Sequence, residues 1–359
     1  MDPLSDVVTA MRAGDPHSAR VVHRAPFGWQ FPGVDAAGFH VVLAGRCWFR
    51  SAATPEPIAL HPGDIVFLPR GCAHVIADDP ATPPQPAASS PRRIHPWAPA
   101  SSAAADTVLL CGAYLLDHSR SHPMLAGLPD VVHIPASTSR HTAAGMIIDL
   151  LDAELVGARP GSDAMLRALL DALLLQILRS WLDRHTETAA DSGWPAALRN
   201  PAVAAALTAI HSDPGHPWTV TELAEHARLS RANFARQFTD LVGRPPIAYL
   251  TWWRMTLAAH RLSDTDTPLP VIARHAGYAS EFAFAHAFKK HTGCPPGRFR
   301  KQHRTGHSLG FEPPDTATSD SVTTARSDAL PGVATDGRRR TGKYPGRTDG
   351  RGIAARIDR

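Results

Sequence analysis

The 359-residue sequence contains no apolar run long enough to cross a bilayer, which excludes a helical membrane span. Its opening, MDPLSDVVTAMRAGD, has neither the basic stretch nor the apolar core of a secretory leader, so the expected location is the cytoplasm. Cysteine is scarce: Cys47, Cys72, Cys111 and Cys294, with no CxxC pair. That spacing argues against a disulfide framework and against a zinc knuckle. Net charge is small as well. The 37 Lys and Arg stand against 33 Asp and Glu, giving +4, so basicity matters only where it is concentrated. What the chain does have is length for two domains and 43% hydrophobic residues, enough to build a core.

Short strands are expected first. FHVVLAGRCWFR and DIVFLP are rich in β-branched and aromatic residues between Pro and Gly. Residues 79–106 change to Pro, Ala and Ser and read as a mobile loop. TVLLCGAYLL resumes the strand pattern and VVHIPA closes it, so residues 20–135 form one β-rich domain. Helical periodicity follows over 139–190. In GSDAMLRALLDALLLQILRSWLDRH, Leu166, Leu169, Leu170, Leu173, Leu174, Ile177 and Trp181 make one stripe, and Leu175, Leu178 and Leu182 lie outside it. A helix apolar on two sides needs two partners. One is its own domain and the other is a second subunit, which makes 139–190 the expected dimerisation region. The alternative is complete burial within one chain. Residues 200–303 read as a compact helical block, and 304–359 as a disordered, slightly basic tail.

The helical block repeats a pattern. Thr219 and Glu222 have capping-box spacing, and Ser230 caps a second helix with Phe234 and Phe238 on its buried side. Arg231, Ala232, Ala235 and Arg236 fall on the outward side. Further on, Gly277 supplies a turn, Ser280 caps a helix, and Phe284 and Phe288 are its core pegs. Glu281, Phe282, Ala285, His286 and Lys289 remain outward. Two short helices joined by a tight turn, the second with a polar face, describe a helix-turn-helix, and here there are two. The helix PIAYLTWWRMTLAAHRLS between them packs against both. From Pro201 to His303 there are 12 Lys and Arg against 7 Asp and Glu, an excess suited to phosphates.

IARHAGYASEFAFAHAFKKHTGCPPGRFR resembles the signature of the AraC-type transcription regulators. The resemblance covers the whole block. It implies that both reading helices enter successive major grooves, Arg231, Ala232, Ala235 and Arg236 in one and Glu281, Phe282, Ala285 and His286, with Lys289 on the same outward face, in the next. Two departures stand out. Arg228 occupies the first turn where the family has Gly, and His286 stands where an Arg often reads a base. Ala232 and Ala235 are too short for hydrogen-bonded readout, though Ala contacts a thymine methyl.

In the N-terminal half, Gly63, Pro69, Gly71 and His74 in PGDIVFLPRGCAHVIAD resemble the second cupin motif, and GFHVVLAGRCWF resembles part of the first. Metal-binding cupins carry two His and a Glu in that first motif. Here Gly38 stands at the Glu position and the His-x-His is absent, leaving His74 and His40. Two imidazoles do not close a metal site, so no metal and no other cofactor is expected. The layout resembles AraC-type regulators whose sensor is a degenerate cupin barrel.

The expected fold class is therefore α+β: an N-terminal cupin-like β-barrel, helices, and a C-terminal all-α double helix-turn-helix domain. A barrel encloses a cavity, and His40, Trp48, His74 and Tyr114 are its expected lining, the alternative for each being an ordinary core side chain. Cys72 lies two residues from His74, so on a strand the two would share a face; Cys72 is then a candidate oxidisable thiolate, the other reading being an ordinary space-filling core thiol. The expected function is a sequence-specific transcription regulator that senses a small molecule or a reactive species. A metal-dependent cupin enzyme fused to a DNA-binding domain is the alternative. Double-stranded promoter DNA, an unidentified effector, a second copy of the chain and RNA polymerase are the expected partners; a membrane is not.

Overall fold

The computed structural model describes residues 2–11, 15–87, 106–114, 122–139, 142–157, 159–188 and 193–306. Most of the expected loop at 79–106 and, beyond 306, the expected tail lie outside them. Residues 304–306 still belong to a helix.

Among the described residues, ten strands form two five-stranded sheets. They are β1 (His17–Arg24), β2 (Gly28–Phe31), β3 (Ala37–Ala44), β4 (Cys47–Ser51), β5 (Thr54–Leu60), β6 (Ile65–Leu68), β7 (His74–Ala77), β8 (Gln85–Pro86), β9 (Asp106–Tyr114) and β10 (Val132–Ile134). The first sheet has the order β1-β9-β3-β6-β10 and the second β5-β4-β7-β2-β8. Side chains alternate across each strand. On β3, Phe39 and Val41 face the helical side of the first sheet, while Val42 faces the second sheet. Strand β6 is buried along its length, with Ile65 and Phe67 on the helical side and Val66 and Leu68 between the sheets. A continuous apolar run is the mark of such a strand, buried on both faces.

The turn from β6 into β7 carries the second cupin motif. Gly71 sits at φ +56, and a Cβ there would lie 2.3 Å from the carbonyls of Val34 and Ala36. Only glycine fits that approach, which sets the chain direction into His74.

Helices α1 (Pro3–Met11), α2 (Pro123–Ala126), α3 (Ala136–Ser139), α4 (Ala143–Gly157) and α5 (Ser162–Thr188) belong to the N-terminal half. In α5, Leu169, Leu170, Leu173, Leu174, Ile177, Leu178 and Trp181 are buried within this chain, and Leu166, Leu175 and Leu182 pack partly. The helix thus finds partners for both sides in its own fold. The exposed large apolar residues of this region are Met146, Leu150 and Val156 on α4 and Met165 at the start of α5.

The C-terminal half contains α6 (Gly193–Arg199), α7 (Pro201–Ser212), α8 (Val220–His226), α9 (Arg231–Val242), α10 (Pro246–Asp264), α11 (Leu269–His275), α12 (Glu281–Thr292) and α13 (Pro296–Gly306). One hydrophobic core runs from the first sheet through α1, α5, α6 and α7 to α8, α9 and the first half of α10. A separate core joins the second half of α10 to α11, α12 and Phe299 of α13. Among the described residues no helix is long and apolar enough to cross a membrane.

Candidate DNA interface and sensor core

The two helix pairs end and restart alike. After α8, Arg228 N–H donates to the Glu225 carbonyl and Leu229 N–H to the Ala224 carbonyl, both at 3.0 Å. After α11, Gly277 N–H donates to Arg274 and Tyr278 N–H to Ala273, both at 2.9 Å. This is one Schellman turn built twice, and it needs a left-handed residue at its centre. Gly277 takes that conformation at φ +76, and Arg228 takes it at φ +53 without being glycine. Ser230 then caps α9 through Asn233 N–H at 3.4 Å, and Ser280 caps α12 through Ala283 N–H at 3.2 Å. Thr219 caps α8 through Glu222 N–H at 3.1 Å. The Glu222 carboxylate sits 2.6 Å from His216 Nε2, so the reciprocal half of a capping box gives way to that pair.

Phe234 and Phe238 are fully buried in the first unit, as are Phe284 and Phe288 in the second. Arg231, Ala232 and Arg236 are exposed on α9 and Ala235 half-buried; Glu281, Phe282, His286 and Lys289 are exposed on α12 and Ala285 half-buried. Asn233 Oδ1 accepts from Arg236 Nη2 at 3.0 Å and so orients the guanidinium. Phe282 is 84% exposed, a large apolar side chain held in water one residue into a helix.

Between the sheets lies a hydrogen-bonded chain of polar side chains. His74 Nδ1–H donates to the Cys72 carbonyl at 2.8 Å, which leaves His74 Nε2 as an acceptor. His40 Nε2–H donates to it at 2.8 Å, and His40 Nδ1 in turn accepts from the Cys111 thiol at 3.1 Å. Phe31 stacks on the His74 ring at 4.8 Å. Burial, followed by the neighbouring His74 and His23, holds His40 well below the usual imidazole value, and burial also lowers His74. Burial pushes the Cys111 thiol up to about 12. The chain is neutral, each nitrogen satisfied by its neighbour.

The sequence profile of the cupin family matches residues 2–183, and that of a helix-turn-helix domain matches residues 223–302. An AraC-like transcription regulator of Streptomyces antibioticus is 35% identical over 84% of this chain and 99% of its own length. The chain belongs to the AraC-like transcription regulators. The RCS-specific activator RclR of Escherichia coli K12 is 30% identical over 77% of this chain and 89% of its own. AlkR, a regulator of Acinetobacter baylyi, is 28% identical over 84% of this chain and all of its own. The DNA-binding domain of AdpA, solved with a target DNA, shares 26% identity over 31% of this chain and 99% of that domain, at a TM-score of 0.29.

In this AraC-like regulator two of the five expected sensor residues, His40 and His74, come together in the barrel. Trp48 does not join them. Its neighbours Cys47 and Phe49 face the other sheet, so alternation turns the indole to the outer face of β4. Tyr114 faces the helices instead, where its hydroxyl donates to the Leu170 carbonyl at 2.8 Å. Cys72 is half-buried, and its Sγ lies 3.7 Å from the Asp130 carbonyl. Burial, then Asp130, push its thiol up rather than down, and His74 touches its backbone, not its sulfur. Cys72 also lies in the turn before β7 and not on the strand with His74, so this arrangement does not favour a thiolate there. Cys111, on another strand, is the thiol in the chain, because β3 and β9 pair His40 opposite Cys111. His40 and His74 spend their facing nitrogens on each other. Among the described residues no three His, Cys, Asp or Glu could hold a metal ion.

A second polar chain joins the two halves of the AraC-like regulator. Met124 N–H donates to His122 Nδ1 at 3.1 Å, so His122 Nε2–H donates to the Tyr249 hydroxyl at 3.0 Å. That hydroxyl donates to His211 Nε2 at 2.7 Å, and His211 Nδ1–H points at Asp6 Oδ2 at 3.3 Å. All four side chains are buried. Burial, then His211 and Arg244, keep His122 well below the ordinary value; burial lowers His211 against the opposing pull of Asp6. Asp6 comes from α1, His122 from the residue before α2, His211 from α7 and Tyr249 from α10. Nothing in the sequence signals this meeting of four distant segments.

Proposed function

We propose that this regulator reads promoter DNA with α9 and α12 in adjacent major grooves, and that its barrel core admits the signal. The observation that carries the first part is the doubling: two identically turned, serine-capped helices present exposed faces from one shared helix, α10. Grooves one turn apart lie roughly 34 Å from each other. Arg236, aimed by Asn233, is the candidate base reader. Phe282 is the candidate apolar contact for a thymine methyl. Sites selected from random DNA by the full chain give the test. Arg236→Ala should weaken binding to the selected site by about 1–3 kcal/mol and leave random DNA nearly unaffected. Equal losses on both would make Arg236 a phosphate contact. Phe282→Ala should weaken the selected site while leaving the melting temperature unchanged or higher, since its ring buries little.

The His40–His74–Cys111 chain supports signal entry in the barrel. A small molecule that offers hydrogen bonds of its own competes with the chain at His40 and His74. RclR, a relative named as RCS-specific, and the contact of Cys111 with His40 keep a thiol reading beside the ligand reading. Burial, which pushes the Cys111 thiol up to about 12, disfavours the reactive thiolate there as it does at Cys72. Reporter assays with Cys111→Ser and Cys72→Ser separate the two. Loss of an oxidant response in Cys111→Ser alone supports the thiol reading, and a normal response in both variants leaves the ligand reading. A sensor is favoured over a metal-dependent enzyme because Gly38 replaces the carboxylate ligand. Metal analysis of the purified chain checks this.

A homodimer belongs to the same proposal. The exposed apolar residues of α4 and the start of α5, rather than the covered faces of α5, are the surface for a second copy.

A further inference from the structure

We infer that Arg254 is the positioning residue that fixes the spacing of the two reading helices. It rests on the two-groove reading above. The cores of the two units are separate, and α10 runs through both. Two rigid units joined by one helix keep a defined angle only if something besides that helix braces them.

Arg254 stands near the middle of α10, where the cores change over. Its Nε donates to the Pro214 carbonyl at 2.6 Å and its Nη2 to the His216 carbonyl at 2.7 Å. Those carbonyls belong to the loop that enters α8, and this loop is itself tied to the first unit. His216 holds Glu222 at 2.6 Å, and Trp218 Nε1 donates to the Asp213 carbonyl at 2.9 Å. The same guanidinium lies against the turn of the second unit. A Cβ at Gly277 would meet Arg254 Nη2 and the Gly215 carbonyl, each at 2.7 Å. From the other side, a Cβ at Gly215 would lie 3.3 Å from the His275 carbonyl. The entry loop of the first unit, the linker helix and the turn of the second therefore converge on one planar cation. A guanidinium offers donors in a fixed fork, so two carbonyls bound at once fix its plane, which an ammonium does not do.

The consequence is a ruler. One inserted base pair moves the second groove by about 3.4 Å and rotates it by about 34°. A braced pair of helices rejects that shift, whereas a loosened pair tolerates it. The test uses a site selected from random DNA by the full wild-type chain, and the same site with one base pair inserted between its two elements. Wild type should bind the lengthened site at least tenfold more weakly. Arg254→Lys and Gly277→Ala should lose affinity for the selected site and bring the ratio of the two affinities to within about threefold. Gly215→Ala is the milder variant for use if either fails to fold, judged by its melting transition. Variants that bind both sites less well by equal factors, or that keep the wild-type ratio, overturn the role of Arg254. A wild-type protein indifferent to the insertion overturns the two-groove reading itself.

Discussion

Tyr249 shows how much one hydroxyl can hold. It accepts from His122 and donates to His211, so its removal leaves two imidazole nitrogens without partners in a dry interior. An unpaired buried polar group costs about 1–3 kcal/mol. Tyr249→Phe keeps the ring among Trp252, Phe238 and Trp194 and should cost about that much in urea unfolding. A variant as stable as wild type would mean that the hydroxyl chain contributes nothing net. The contrast with Arg228 is instructive at the same scale. The family resemblance marked it as a departure from Gly, and the structure gives it a left-handed φ of +53, the conformation the turn demands whatever residue occupies it. Arg228→Gly should therefore stabilise the first unit slightly, by the strain that a side chain carries there.

The elements divide into those whose partners are near in sequence and those whose partners are far. Both helix-turn-helix units were readable because caps, turns and paired phenylalanines fall within about twenty residues of one another, and local rules settle them. The strands were readable as strands but not by face. Strands β3, β6 and β9 are buried on both sides, so no alternation of polar and apolar residues marks the inner face, and Tyr114 went to the helices. The pairing of His40 with Cys111 is a matter of register, which needs the sheet order. Helix α5 was correctly two-sided, but its second partner proved to lie in the same chain. The apolar residues left exposed on α4 include Met146 and Leu150, one turn apart. Leu150→Glu should turn a dimer into a monomer in light scattering without lowering the melting temperature. A dimer that survives the charge places the contact elsewhere.

At the scale of the whole molecule, the histidines set a pH limit. His23 is held down to about 4 by burial, and His40, His74, His122 and His211 are also lowered, each first by burial. An unfolded imidazole titrates near pH 6.5. Below that value the unfolded chain takes up protons that the folded chain refuses. The stabilisation is therefore complete above about pH 6.5 and is lost as the pH falls toward about 4. Each such group contributes a slope of up to about 1.4 kcal/mol per pH unit within that window. Melting temperature should drop steeply from pH 7 to pH 5, before most carboxylates titrate. A flat profile over that range would show that the histidines charge without unfolding.

The single core that runs from the first sheet to α9 bears on modularity. Regulators of this kind invite transplantation, in which one sensor is exchanged for another at a seam. Here the hydrophobic core is continuous across the seam near residue 200. Leu4 and Val7 of α1, and Trp194 of α6, belong to the same buried cluster as Phe234, Tyr249 and Trp253. A fragment cut at that seam leaves the first reading unit with an open apolar wall, while the second keeps its own core intact. The molecule is thus divided unequally. Its natural joint lies inside the DNA-reading half, across α10, and a chimera that respects the chemistry would carry α1 and the segment around His122 along with the first unit.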